Sequence, residues 1–200
     1  MKANVLAART LNRFRSGVAV GIVAASICAA HHGLAQDPVT SIAETVARPF
    51  SLIEGSFVAL AEAMPSEKYS FKPSEGEFKN ARTFAEQVKH VACANFAFFN
   101  EIEKKEPPAA CHTGGPSSAT TKAELLAYLR DSFAYGKTVL NTTTTANALE
   151  PVTGPYGGPS TRLGIMTLAV WHASDHYGQL VVYLRLNRIV PPASQPASSR

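Results

Sequence analysis

The sequence predicts an all-α protein, a four-helix bundle. Apolar residues recur at steps of three and four along four stretches of roughly 20–25 residues each. Segments rich in Pro, Gly, Ser and Thr separate those stretches. No segment shows the alternation of a convincing strand, and there is no internal repeat. Helices patterned this way bury their stripes against one another, and four with connecting loops make a bundle.

The 200-residue chain opens on a segment that stands apart from the bundle. Lys2, Arg9, Arg13 and Arg15 form a basic start without an acidic residue, and Gly17 to Ala30 is almost entirely apolar or small. Gly33-Leu34-Ala35 follows. The pattern predicts a secretory signal peptide over residues 1–35, cleaved after Ala35, and an exported protein, periplasmic or secreted. The apolar run is shorter than the ~20 residues of a spanning helix, which disfavours an uncleaved anchor. A lipoprotein start at Cys28 is disfavoured because Ile27 stands where a small residue is expected.

Cleavage leaves 165 residues, enough for one domain with a sizeable core. It removes four of the 19 basic residues and none of the 15 acidic ones. The mature chain is therefore balanced. Its charge gives no reason to expect nucleic acid as a partner, nor a membrane once the signal is gone.

The bundle domain is expected over residues 36–192. Its first helix runs from about Val39 to Met64 on the stripe Ile42, Val46, Phe50, Ile53, Phe57, Leu60 and Met64. Pro38 suits a first helical turn, and Pro49 is expected to kink or split the helix. Ser66 to Asn80 reads as a loop that buries Tyr69, Phe71 and Phe78 over the bundle. Thr83 and Glu86 form a capping box for the second helix, which runs through Phe84, Val88, Val91, Asn95, Phe98 and Ile102. Pro107 to Thr120 is a loop.

Thr121 and Glu124 repeat the capping signal for a third helix, from about Lys122 to Thr142. The β-branched run after it softens its end. Another Pro- and Gly-rich loop covers Glu150 to Ser160. The fourth helix runs from about Thr161 to Asn187, Pro191-Pro192 stops the chain, and residues 193–200 are expected to fray.

The fourth helix carries the chemistry. His172 and His176 lie four residues apart, on a face shared with Ile165, Leu168, Leu180 and Tyr183. Side chains at that spacing stand one turn apart and are able to share a metal ion at about 2.0–2.1 Å each. Ordinary hydrogen bonding within a helical core is the alternative. His90, on the second helix, would complete a set of three imidazoles with an open position for water or substrate. His112 is expected to be solvated, and His31 and His32 leave with the signal. Ala173 stands where the glutamate of a protease HExxH motif would be, so that general base is missing.

Gln179 is a candidate to orient a ligand or a bound water, or else to bond across a helix interface. Asp175 and Glu86 are candidates to accept an imidazole N–H, as metal-bound histidines usually require, or else solvated charges. Trp171 and Tyr177 read as packing residues, and Gly178 as a point of close helix approach. Cys93 and Cys111 are able to form a disulfide in an oxidising compartment. A buried free Cys93 with an exposed Cys111 is the other reading, and the spacing does not decide. Unbridged, Cys93 is a further candidate ligand.

Three stretches carry a resemblance: Ala63 to Pro73, Arg82 to Ala92, and His172 to Arg185 with its Asp175-His176-Tyr177-Gly178-Gln179-Leu180 core. In order and spacing the chain resembles the DinB-like superfamily of helical bundles, which includes YfiT-type proteins and bacterial thiol transferases. The resemblance spans about Pro38 to Pro192. It implies a DinB/YfiT-like bundle in which His90, His172 and His176 hold one divalent metal ion, zinc or nickel. It also implies a metal-dependent hydrolase or thiol or group transferase acting on a small molecule, and a homodimer paired through helices. A non-catalytic periplasmic bundle that binds a metal or a partner is the alternative. A haem protein is disfavoured by the lack of a Cys-x-x-Cys-His site, and a ferritin-like centre by the lack of Glu-x-x-His pairs.

Overall fold

The computed structural model describes residues 39–196. The expected signal peptide, with Cys28, His31 and His32, lies outside those residues, as do Pro38 and the last four positions of the chain. Four helices make up the domain: α1 (Ile42–Ala63), α2 (Phe84–Ile102), α3 (Lys122–Leu140) and α4 (Arg162–Leu186). None of the helices described is long and apolar enough to cross a membrane.

The helix starts are written in side chains. Thr83 with Glu86 and Thr121 with Glu124 close reciprocal capping boxes on α2 and α3. Ser41 and Glu44 do the same for α1, so that helix begins later than the periodicity alone predicts. Thr161 caps α4 by accepting from Gly164 N at 3.1 Å. α1 runs unbroken through Pro49, so the expected split does not occur. The missing N–H and ring clash cost about 3 kcal/mol. Burial of Phe50, Ile53, Phe57 and Leu60 along the same helix outweighs that cost.

The helices pack in a ring, α1 beside α3, α3 beside α2, α2 beside α4 and α4 beside α1. Phe50, Phe57, Phe84, Phe99 and Phe133 fill its centre with no exposed surface. Phe50 meets Phe99 and Phe133 with ring centroids 5.4 and 5.0 Å apart. The close-approach glycine is Gly136 on α3. A Cβ there would stand 2.8 Å from Phe50 Cε1 and closer still to Phe99. Gly178, expected to play that part, faces open space.

The connections hold fewer surprises. After α1 comes a short 3-10 turn, Ser66–Lys68, and Tyr69 is buried with its hydroxyl donating to Ala61 O at 2.7 Å. Phe71 is half-buried against Tyr183, but Phe78 is 42% exposed and does not cover the bundle as expected. Before α4, β1 (Pro151–Val152) and β2 (Ser160–Thr161) pair antiparallel, with Pro151 opposite Thr161. Two residues a side are too few to leave an alternating pattern in sequence, so this ladder was not foreseeable. Pro191 is buried, and Pro192–Ser194 forms a 3-10 turn against α1 at the start of the segment expected to fray.

The two glycines give a direct test of the packing. Gly136→Ala should cost about 1–3 kcal/mol, the usual penalty of overpacking. Gly178→Ala should be neutral or stabilise by up to about 1 kcal/mol, as alanine does in an exposed helix. Urea unfolding of both variants checks this, and equal effects would contradict the ring of helices described.

Candidate metal centre

α2 supplies His90 and α4 supplies His172 and His176, all where these two helices pack. One ring nitrogen from each lies within 4.8 Å of the others. The ring centroids are 4.5 to 5.0 Å apart, edge to face. His176 is buried, while His90 and His172 are partly open to solvent. Phe98 walls the cluster with its ring 5.4 Å from His172.

The hydrogen bonds define the tautomer of His90. Its Nδ1 lies 2.7 Å from the Cys111 carbonyl oxygen. A carbonyl only accepts, so Nδ1 carries the hydrogen and Nε2 of the neutral ring keeps a lone pair. That lone pair faces His172 Nε2 at 3.1 Å. Two ligand nitrogens on one tetrahedral zinc stand about 3.3 Å apart, from bond lengths of about 2.0–2.1 Å. Nδ1 of His172 and Nδ1 of His176 are buried with no partner. Leaving a buried polar group unpaired costs about 1–3 kcal/mol.

Electrostatics keep the rings neutral. Burial lowers the pKa of His172 to about 3, helped by the charges of His176, His90 and Arg82. Burial, then His90, lowers His176 to about 4 against the opposing pull of Asp175. His90 is lowered by burial as well, and the Cys111 carbonyl resists the change. Neutral imidazoles with directed lone pairs are the form a divalent ion binds. The donor set and its spacing therefore fit a metal.

The other expected site residues turn elsewhere. Glu86 accepts from Thr83 N at 2.7 Å and serves the α2 cap, so it does not orient an imidazole. Asp175 is exposed and accepts from Gln179 Nε2 at 2.9 Å instead of from a histidine. Gln179 Oε1 accepts from Gln87 Nε2 at 2.8 Å, which ties α4 to α2. Trp171 is 62% exposed and is not a packing residue, while Tyr177 packs on Phe57. His112 is exposed, as expected.

Cys93 and Cys111 form a disulfide, with Cα atoms 5.2 Å apart, so neither is a metal ligand. Among the described residues no carboxylate or thiol joins the three histidines.

Three contributors escaped the sequence reading. The Cys111 carbonyl belongs to the 3-10 turn Cys111–Thr113 and has no side-chain signature. Tyr156 holds that loop, its hydroxyl accepting from Cys111 N at 3.3 Å and donating to Pro108 O at 2.9 Å. Glu101, buried on α2, accepts from Tyr156 N and Gly157 N at 2.8 and 2.9 Å. A single glutamate near the end of a helical stripe carries no such message in sequence.

The bundle presents three convergent imidazoles from two helices, a cluster capable of coordinating a metal. The sequence profile of the DinB superfamily matches residues 50–180. The chain belongs to the DinB superfamily. It is similar in structure to a DinB-like protein, YjoA, from Bacillus subtilis, with a TM-score of 0.54 and 23% identity. That match covers 70% of this chain and 90% of the other. It is also similar to a conserved protein from Enterococcus faecalis, with a TM-score of 0.57, 15% identity, and 74% and 98% of the two chains covered. At these identities the likeness speaks for the fold alone. No curated protein matches the sequence.

The buried neutral rings make the metal-free protein sensitive to mild acid. At neutral pH both rings are uncharged, folded and unfolded. Below about 6.5 the unfolded chain takes up protons that His172 and His176 refuse until about pH 3 and 4. Stability is thus full above the unfolded value and falls with pH. Each ring should cost about 1 kcal/mol per pH unit after allowance for partial exposure. The capping carboxylates Glu44 and Glu124 are held below the usual range and titrate lower still. Urea unfolding at about pH 7 and about pH 5 should show the loss, and a His172→Ala, His176→Ala double variant a smaller one. Equal losses would contradict the burial of the two rings.

Proposed function

We propose that this chain is an exported DinB-superfamily protein whose three-histidine centre holds one divalent ion, zinc or nickel, and serves a hydrolase or group transferase. One observation carries the reading: His90, His172 and His176 converge from two helices, with one ring nitrogen of each within 4.8 Å of the others. A divalent ion on three neutral imidazoles would keep a vacant position and supply Lewis-acid activation of a water or thiol there.

The chain's own residues do the rest. His90 is held in one tautomer by the Cys111 carbonyl. Phe98 excludes water from one side of His172. The Cys93–Cys111 bridge supports export, because disulfides persist in oxidising compartments. Free thiols are scarce there, which favours hydrolysis over thiol transfer.

A non-catalytic metal-binding role is the second reading. It is favoured by the commitments of Glu86, Asp175 and Gln179, which leave none of the three bonded to an imidazole.

Homodimer pairing through α4 is part of the proposal. Trp171, Val182 and Leu186 are exposed on one face of that helix, and Gly178 lies between them over open space. Light scattering should give twice the chain mass for the wild type and the single mass for Val182→Glu. A monomeric wild type would remove pairing from the proposal.

Metal content by mass spectrometry on untagged protein tests the central claim. About one ion per chain is expected, with none in the His172→Ala, His176→Ala variant. The chain's single tryptophan, Trp171, adjoins His172, so nickel should also quench its fluorescence. No metal in either protein after incubation with zinc and nickel would overturn the reading. A loaded protein that turns over hydrolytic or thiol-transfer substrates is the catalytic outcome, and a loaded but inert one the non-catalytic outcome.

A further inference from the structure

A groove of about 440 Å³ lies beside the histidine cluster, lined by Lys72, Lys79, Asn80, Arg82, His112 and Thr113. Its one acidic lining residue is Glu86, whose carboxylate accepts from Thr83 N at the α2 cap and keeps its charge, so the lining carries three cations against one anion. Arg82 donates from both Nε and Nη2 to the His112 carbonyl oxygen, at 3.0 and 2.7 Å. The guanidinium is thus held by a backbone oxygen, which fixes its position without an ion pair. Among the described residues, no carboxylate pairs with Lys72, Lys79 or Arg82. Three cations against the one carboxylate of Glu86 leave the concavity net positive.

The groove and the histidines share a wall. Consecutive carbonyls of one loop hold them: Cys111 O accepts from His90 and His112 O accepts from Arg82. The charge of Arg82 reaches all three imidazoles. Tyr183 donates its hydroxyl to Arg82 O at 2.9 Å, which fixes the arginine's backbone to α4, the helix of His172 and His176.

We infer that this groove binds the oxyanion group, carboxylate or phosphate, of a small molecule whose other end reaches the three-histidine centre. The inference rests on the metal-dependent reading and adds the substrate class to it. Arg82 supplies the fixed contact, since guanidinium matches planar and tetrahedral oxyanions alike. Lys72 and Lys79 are exposed point charges that close over the anion. A neutral substrate of the same size would gain nothing from the three cations.

The test uses untagged metal-free protein with the chelator dialysed away, followed by two-dimensional NMR. Succinate and inorganic phosphate are the probes, and succinamide is the neutral control. The expected result is saturable movement of the Ala81, Arg82, His112 and Thr113 amides, with a smaller movement at the His90 ring. Lys72→Gln with Lys79→Gln should raise the dissociation constant by about fivefold or more. Lys104→Gln with Lys105→Gln makes the same charge change elsewhere and should leave it unchanged. Which probe binds more tightly identifies carboxylate or phosphate.

Equal binding in both double variants, or equal movement with succinamide, overturns the groove. Zinc uptake measured on the same samples separates the two readings. Uptake without groove-specific binding leaves the metal centre standing and removes the anion site. Groove-specific binding without uptake upholds the anion site and removes the metal-dependent function.

Discussion

The bond from His90 Nδ1 to the Cys111 carbonyl oxygen is the constraint on which the site depends. It decides which nitrogen of His90 faces the other two rings. It exists only because the loop after α2 is folded back onto that helix. Three restraints hold it there: the Cys93–Cys111 bridge, the Tyr156 hydroxyl, and Arg82 on the neighbouring carbonyl. Tyr156 is in turn positioned by the buried carboxylate of Glu101. The bridge closes a separation of 18 residues, which contributes about 3 kcal/mol in the chain-entropy model. A loop placed this firmly acts as part of the scaffold, and its carbonyls become fixed acceptors for His90 and Arg82.

The cluster also sets electrostatics against packing. Three imidazoles beside a buried apolar core are stable only while uncharged, and burial lowers the pKa of each. The unpartnered Nδ1 atoms of His172 and His176 show that the surroundings do not satisfy the rings in full. Sites that depart from full hydrogen-bond satisfaction are where function concentrates. Elsewhere in the interior Gln87 Oε1 and Asn95 Oδ1 are also buried without a partner, but the other polar atoms of those side chains are engaged. Asn95 bonds Ser132 at 3.1 Å, and Arg162 is held by Thr142, Thr143 and Glu103.

Much of this was legible from residue types and spacing. The stripe from Val46 to Met64 and its counterparts on α2 and α3 are buried as their period requires. The Thr83–Glu86 and Thr121–Glu124 boxes set the helix starts where they were read. The His172 and His176 spacing, with His90, named the cluster. What failed had physical reasons. Ser41 and Glu44 offered the same capping signal as the other two boxes, but Pro38 and the stripe drew the start too early. Gly178 and Gly136 look alike in sequence, and only the packing tells which one faces the phenylalanines. Asp175 and Glu86 are near the histidines in number, yet each had a closer partner on its own helix or cap. Backbone carbonyls carry no sequence signal at all, so the orientation of His90 was out of reach.

The core and the site are built from different residues, and that separation shapes what the protein is able to do. Phenylalanines of α1, α2 and α3 pack with Ile165, Met166, Leu180 and Leu184 of α4 in an apolar core. The α2 and α4 helices are further tied by the Gln87–Gln179 bond. A cation bridging His90 with His172 and His176 would link two helices already in register, so little conformational entropy opposes its binding. A bound ion would stabilise the fold by mass action, in proportion to the logarithm of its concentration over its dissociation constant.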